Sequence, residues 1–200
     1  MRTMFAALLV AASTSAEPVH LVRSSVAQVT AIVQSGDYAG PQHAARRRAA
    51  IRAVAEELFD FKQMGQRTLA QYWSELSHDE EEEFRQRFTD LLERSYVAVI
   101  ERYAGERIVY TGHTTEGGYA TVKSKVVTAR GTQIPVEYRL YHTGQRWAVY
   151  DVVIEGVSLV SSYRSQFHRV IQSSSIDGFM QRLRRGQMEG ISIPLPRVDR

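Results

Sequence analysis

Asp151 stands in the run Tyr150-Asp151-Val152-Val153-Ile154, a lone carboxylate set into a strand-like segment that is otherwise apolar. An acid in such surroundings has two uses. It can be a general base whose ionisation is tuned by burial, as in small cone-shaped isomerases and lyases of the ketosteroid type. It can also be paired with an arginine on a neighbouring strand, such as Arg139, and pairing is the commoner fate of a buried charge.

Other chemistry is sparse. Gly156-Val157-Ser158-Leu159-Val160 matches a nucleophile elbow for three positions and then lacks the closing glycine, and the strand before it is not expected to be parallel. No HExxH, P-loop or dinucleotide fingerprint occurs. The six histidines are dispersed, and no two have metal-ligand spacing on one helix. Glu80 to Glu83 point in different directions on a helix, so they cannot converge on one ion. The reading is of no catalytic residue, no metal and no cofactor.

Composition narrows the class. A length of 200 residues and a formal charge of +3 suit a soluble domain with a real core, without the basic field that nucleic acid requires. The Arg46-Arg47-Arg48 triplet reads as a solvated helix face. Residues 1–16 have the charged start, apolar run and small-residue end of a signal peptide, with cleavage expected after Ala16 and a periplasmic or otherwise exported product. With no cysteine, the exported chain can carry neither disulfides nor a lipoprotein thioether. Residues 17–186 are expected to form one domain and 187–200 a flexible tail, since the latter has Pro194, Pro196 and no amphipathic period.

The elements follow from periodicity. Val19, Val22, Val26, Val29 and Val33 recur at helical steps after Pro18. A second helix carries Ile51, Val54 and Leu58, and a third follows Phe59-Asp60-Phe61 through Met64 and Leu69 towards Trp73. Ser77 and Glu80 have capping-box spacing before a long helix striped with Phe84, Phe88, Leu91, Leu92, Tyr96, Val99, Ile100 and Tyr103. From Arg107 the period becomes two, giving strands over 107–113, 119–129, 134–143 and 145–155 joined by turn signals short enough to demand antiparallel pairing. Two late helices close the pattern, the second over 176–185. The fold class is therefore α+β: a helical layer packed on a curved antiparallel four-stranded sheet, a cone that side chains fill or that is left open as an apolar cavity.

Strict alternation places Ala148, Tyr150, Val152 and Ile154 on one face of the last strand and Trp147, Val149 and Val153 on the other. Both faces are oily, so either helices wrap around the sheet or a ligand fills the gap.

Tyr150-Asp151-Val152-Val153-Ile154-Glu155-Gly156-Val157-Ser158-Leu159-Val160, followed by Tyr163-Arg164-Ser165-Gln166-Phe167, resembles the signature of the Mla-type periplasmic phospholipid-binding proteins, the toluene-tolerance (MlaC) family. Phe59-Asp60-Phe61 with Met64 and Trp73, and Ile134-Pro135-Val136-Glu137-Tyr138-Arg139-Leu140 before Trp147, extend the likeness over roughly residues 59–183. Ser162 replaces a frequent asparagine, and Ala70 a frequent glycine. The resemblance implies a carrier of phospholipid between an outer-membrane complex and an inner-membrane ABC transporter complex, with bound phospholipid as cargo and outer-membrane lipid asymmetry as the outcome. It implies lipid-lining roles for Leu92, Tyr96, Tyr138, Leu140, Tyr150, Val152, Ile154, Leu159, Val160, Tyr163 and Phe167, with Lys125, Arg139 and Arg164 as headgroup candidates.

Overall fold

Pro18 opens α1 (Pro18–Gln34) at the position where a missing N–H costs nothing. The structure, a computed structural model, describes residues 17–101, 105–188 and 191; the expected signal peptide, Tyr103 and most of the expected tail lie outside these. After two short 3-10 turns come α2 (Ala44–Leu58) and α3 (Phe61–Leu69), the latter capped by Asp60, whose carboxylate accepts the Gln63 N–H at 2.8 Å. A 3-10 stretch, Ala70–Glu75, leads to α4 (His78–Ile100), where the expected capping box between Ser77 and Glu80 is complete. Gly65 lets α3 come close to α4: a Cβ there would sit 2.9 Å from the Phe84 ring.

The strands are β1 (Arg107–Glu116), β2 (Tyr119–Val127), β3 (Gln133–His142), β4 (Trp147–Ile154) and β5 (Val157–Ser158), paired antiparallel in chain order. Then follow α5 (Leu159–Ser173) and α6 (Ile176–Arg184). Among the described residues this makes six α-helices packed on an open five-stranded sheet, one strand more than periodicity reveals. The extra strand is two residues long, made by Glu155 and Gly156 turning the chain back with φ of 50° and 81°. Glycine takes that conformation freely; Glu155 does so under strain.

Two apolar clusters form. In the helical one, Phe84 stacks on Phe88 at 5.6 Å, and Trp73, Tyr163, Phe167 and Phe179 pack around that pair. The other covers one face of the sheet, where Val122, Leu140 and Val149 are wholly buried beneath Val22 of α1 and Leu58 of α2. Burying each such side chain contributes about 1.5–3 kcal/mol. Phe59 and Tyr96 touch both clusters. In α4 it is Val97 that is buried, while Val99 is half-buried, a shift of the stripe that its three-four alternation alone leaves open.

The register corrects the expected faces of β4. Asp151 pairs with Arg139, but Val149 pairs with Leu140, so Tyr150 is an inserted residue, a β-bulge. Trp147, Val149, Val152 and Ile154 therefore share the sheet-face cluster, and Tyr150 does not join them. Its ring instead meets Tyr119 and Tyr141 edge-on, with the Arg67 guanidinium 4.2 Å from its centroid on the opposite face. That opposite face of β4 is closed by protein: Ala148, Asp151 and Val153 are all buried, and α3 and α5 both pack against the strand. Of the two ways to cover β4, wrapping helices account for this side.

Of the arginine triplet, Arg47 pairs with Glu101 at 2.9 Å and Arg46 lies over the Tyr38 ring, so only part of the expected solvated face is free in water.

Candidate functional site

The bulge leaves the cluster-bearing face of the sheet as the surface to explain. Its floor, Val136, Leu140, Val149 and Val152, is sealed. Around this floor the cover is less complete: although Ile134 opposite Val126 is sealed, Tyr110, Val126, Tyr138 and Ile154 pack against the cluster yet are only half-buried. The same is true of Val26 on α1 and Tyr96 on α4, and Val29, Val33, Val99 and Ile100 continue those two helix stripes half-buried. Half-buried apolar side chains on α1, α4 and the sheet thus edge the same cluster, and the margin between these elements is the candidate cleft.

Polar atoms in the cleft are few, and most are phenols. Where the two clusters meet, the hydroxyls of Tyr96 and of Tyr163 from the helical cluster are buried side by side with no hydrogen bond of ordinary geometry. Burial raises the pKa of both phenols and so suppresses their ionisation; the neighbouring Tyr163 raises Tyr96 further, and contacts with Ser95 and Tyr96 partly offset the effect at Tyr163. Tyr138 is raised by burial first and then by the adjacent Tyr110 phenol.

Of the expected lining residues, Tyr96, Tyr138, Leu140, Val152, Ile154 and Leu159 come together around the sheet face. Leu92, Val160, Tyr163 and Phe167 belong to the helical cluster, and Tyr150 lies across the sheet. Sequence reasoning missed Tyr110 and Val126, because β1 and β2 were read for their turns rather than for pairing partners of β3; Ser124 and Val126 sit opposite Val136 and Ile134.

None of the three expected headgroup cations addresses this face. Lys125 alternates away from Ser124 and Val126 and donates to Gln133 at 3.0 Å. Arg139 donates to Asp151 at 3.3 Å on the far side. Arg164 donates to the Arg67 carbonyl at 2.8 Å. A cation that sequence reasoning passed over does border the cleft: Arg23 of α1, stacked 4.6 Å over the Tyr110 ring.

Asp151 faces no cleft. Its Oδ2 accepts from Ser158 at 2.7 Å as well as from Arg139, and its Oδ1 accepts the Val160 N–H at 3.1 Å. With its oxygens so occupied the carboxylate anchors the start of α5, the paired alternative, and the geometry offers no substrate to a base there. Among the described residues no cluster of histidine and acidic groups could hold a metal, and no helix is long and apolar enough to cross a membrane.

The family model described as MlaC protein matches residues 23–185. Over 132 residues the chain is 21% identical to the intermembrane phospholipid transport system binding protein MlaC of Haemophilus influenzae, a match covering 64% of this chain and 62% of that protein. Over 107 residues it is 26% identical to the toluene tolerance protein ttg2D of Pseudomonas putida, covering 53% and 50% respectively. The chain thus spans between half and two thirds of the length of these curated relatives. A solved structure of a phospholipid-binding protein from Ralstonia solanacearum, in complex with a phospholipid, superimposes with a TM-score of 0.76 over 86% of this chain and 99% of that one, at 23% identity. That likeness is one of fold.

Proposed function

Starting from the fact that the chain belongs to the MlaC family, we propose that it is a phospholipid carrier whose acyl chains lie in the cleft between α1, α4 and the sheet. The observation that carries this reading is the run of half-buried apolar side chains on three facing elements, Val26, Tyr96, Tyr110, Val126, Tyr138 and Ile154. A solid core would have closed over them. Two acyl chains contain on the order of 30 methylenes, and at ~0.8 kcal/mol each their exposure to water costs ~24 kcal/mol. A carrier must cover most of that length, and it needs no catalytic group to do so.

The finer reading is of a periplasmic shuttle, exported by residues 1–16, that exchanges lipid between an outer-membrane complex and an inner-membrane ABC transporter complex. The names of the relatives, which speak of intermembrane phospholipid transport and of toluene tolerance, support it.

The test is extraction of protein purified from cells under native conditions, followed by lipid mass spectrometry. Phospholipid at close to one molecule per chain is expected; protein that is folded and lipid-free after expression in a phospholipid-rich host would overturn the reading.

A further inference from the structure

Arg23 is exposed on α1, one residue after the wholly buried Val22, so it sits at the edge of the stripe that faces the sheet. Its guanidinium carbon lies 4.6 Å from the centroid of Tyr110, which stands on the cluster-bearing side of β1 opposite Ser124. Stacking on an aromatic face leaves the rim of N–H donors of a guanidinium pointing outward in a fixed plane, the geometry that grips phosphate bidentately. Among the described residues no carboxylate pairs with Arg23, whereas Arg47, Arg52, Arg85, Arg139 and Arg184 all have acidic partners. The phenols of Tyr110 and Tyr138 adjoin one another along the same side of the cleft. Among the described residues, the β1 border of the cleft therefore has in Arg23 a cation without an acidic partner, on an aromatic platform, with apolar surface running inward from it.

Resting on the carrier reading, we propose that Arg23, held by Tyr110, is the contact for the phosphate of the lipid headgroup, and that the β1 side of the cleft is where the headgroup emerges. The three cations expected from sequence cannot serve, since each is engaged or directed to the other side of the sheet. Phosphate bound there is attracted by charge and registered by the planar donor pair; the acyl chains then run from Tyr110 towards Tyr138 and Tyr96.

The experiment uses delipidated full-length protein and its Arg23→Ala, Arg23→Glu and Tyr110→Leu variants, each checked for an unchanged circular dichroism spectrum. Four ligands are compared by native mass spectrometry and competition: dioleoyl phosphatidylglycerol, dioleoyl phosphatidylethanolamine, dioleoylglycerol, which lacks phosphate, and glycerol 3-phosphate, which lacks acyl chains. Wild type should prefer both phospholipids to dioleoylglycerol by about tenfold, the worth of one charge-assisted contact. Arg23→Ala and Arg23→Glu should remove that preference by weakening the phospholipids alone, and Tyr110→Leu should reduce it. A preference that survives in Arg23→Ala, or that wild type never shows, overturns the headgroup assignment and leaves the carrier intact. Glycerol 3-phosphate bound as tightly as phospholipid, with the same dependence on Arg23, makes the site one for free phosphates and also overturns it. Wild type that holds none of the acylated ligands overturns the carrier reading itself.

Discussion

Ser158 donates its hydroxyl to Asp151 at 2.7 Å while accepting the Ser161 N–H at 3.0 Å, so one small side chain joins the end of the sheet to the first turn of α5. Asp151 completes the joint by accepting the Val160 N–H. Strand, turn and helix are thereby fixed in one geometry, and the acid that stands out in the sequence is explained by architecture.

Asp151→Asn should cost about 2 kcal/mol, the usual worth of hydrogen bonds to a charged acceptor, because the amide keeps the shape and loses both the charge and one acceptor atom. Urea denaturation would read this as a lowered midpoint at unchanged slope. A midpoint equal to that of wild type would mean the three contacts are dispensable and would reopen the question of why an acid is there.

Ala70 occupies φ 52° and ψ −118°, a region that a residue with a Cβ enters only under strain. Glycine carries no such penalty. Ala70→Gly should stabilise the protein by about 1 kcal/mol after the extra entropy of the unfolded glycine is deducted, raising Tm by about 3 °C. A lower Tm would show that the turn relaxes to another conformation when alanine occupies it.

On the carrier reading, Ile154→Trp enlarges a half-buried side chain towards the acyl chains and should cost under about 1.5 kcal/mol while reducing co-purified phospholipid several-fold. Leu140→Ala, at a wholly buried neighbouring position, should by contrast cost about 2–5 kcal/mol. Were Ile154→Trp the more damaging of the two, the wall at Ile154 would be packed interior.

Tyr141 is pushed up to about 12 by burial, with its hydrogen bond to Asp60 adding to the effect. A phenol raised in the folded state contributes stability that is fully present below its unfolded value near 10 and disappears as pH rises through about 12. Ultraviolet titration of the native protein at 295 nm should show Tyr96, Tyr138, Tyr141 and Tyr163 silent at pH 10.5 while exposed tyrosines ionise. Tyr141→Phe should flatten stability between pH 10 and 12. Simultaneous ionisation of every phenol near pH 10 in folded protein would contradict the buried environments described.

Much of the architecture was legible because each signal was local. Pro18, the Ser77 and Glu80 pair, and the glycine turns state their own conformations, and the three-four alternation of α1 and α4 follows from helix geometry. The faces of β4 were not legible. Parity along a strand holds only while pairing is regular, and the bulge at Tyr150 depends on where β3 lies beside it, which no residue in β4 announces. For the same reason the candidate cations were misplaced: Lys125 and Arg139 are close in sequence to cleft residues yet separated from them by the thickness of the sheet. Arg23 lay in a helix read only for its valines, and its significance comes from Tyr110, more than eighty positions away.

The single added residue at Tyr150 has a bearing on how relatives of this protein are compared. A homologue that lacks one amino acid at that point would pair regularly with β3 and keep positions 147–149 and 151–154 on the sides they hold here, losing only the ring that lies between Tyr119, Tyr141 and Arg67. Residue-by-residue transfer of binding roles across this strand is sound only when the gap is set at Tyr150 itself, since a gap placed elsewhere in β4 would shift the intervening residues to the wrong side.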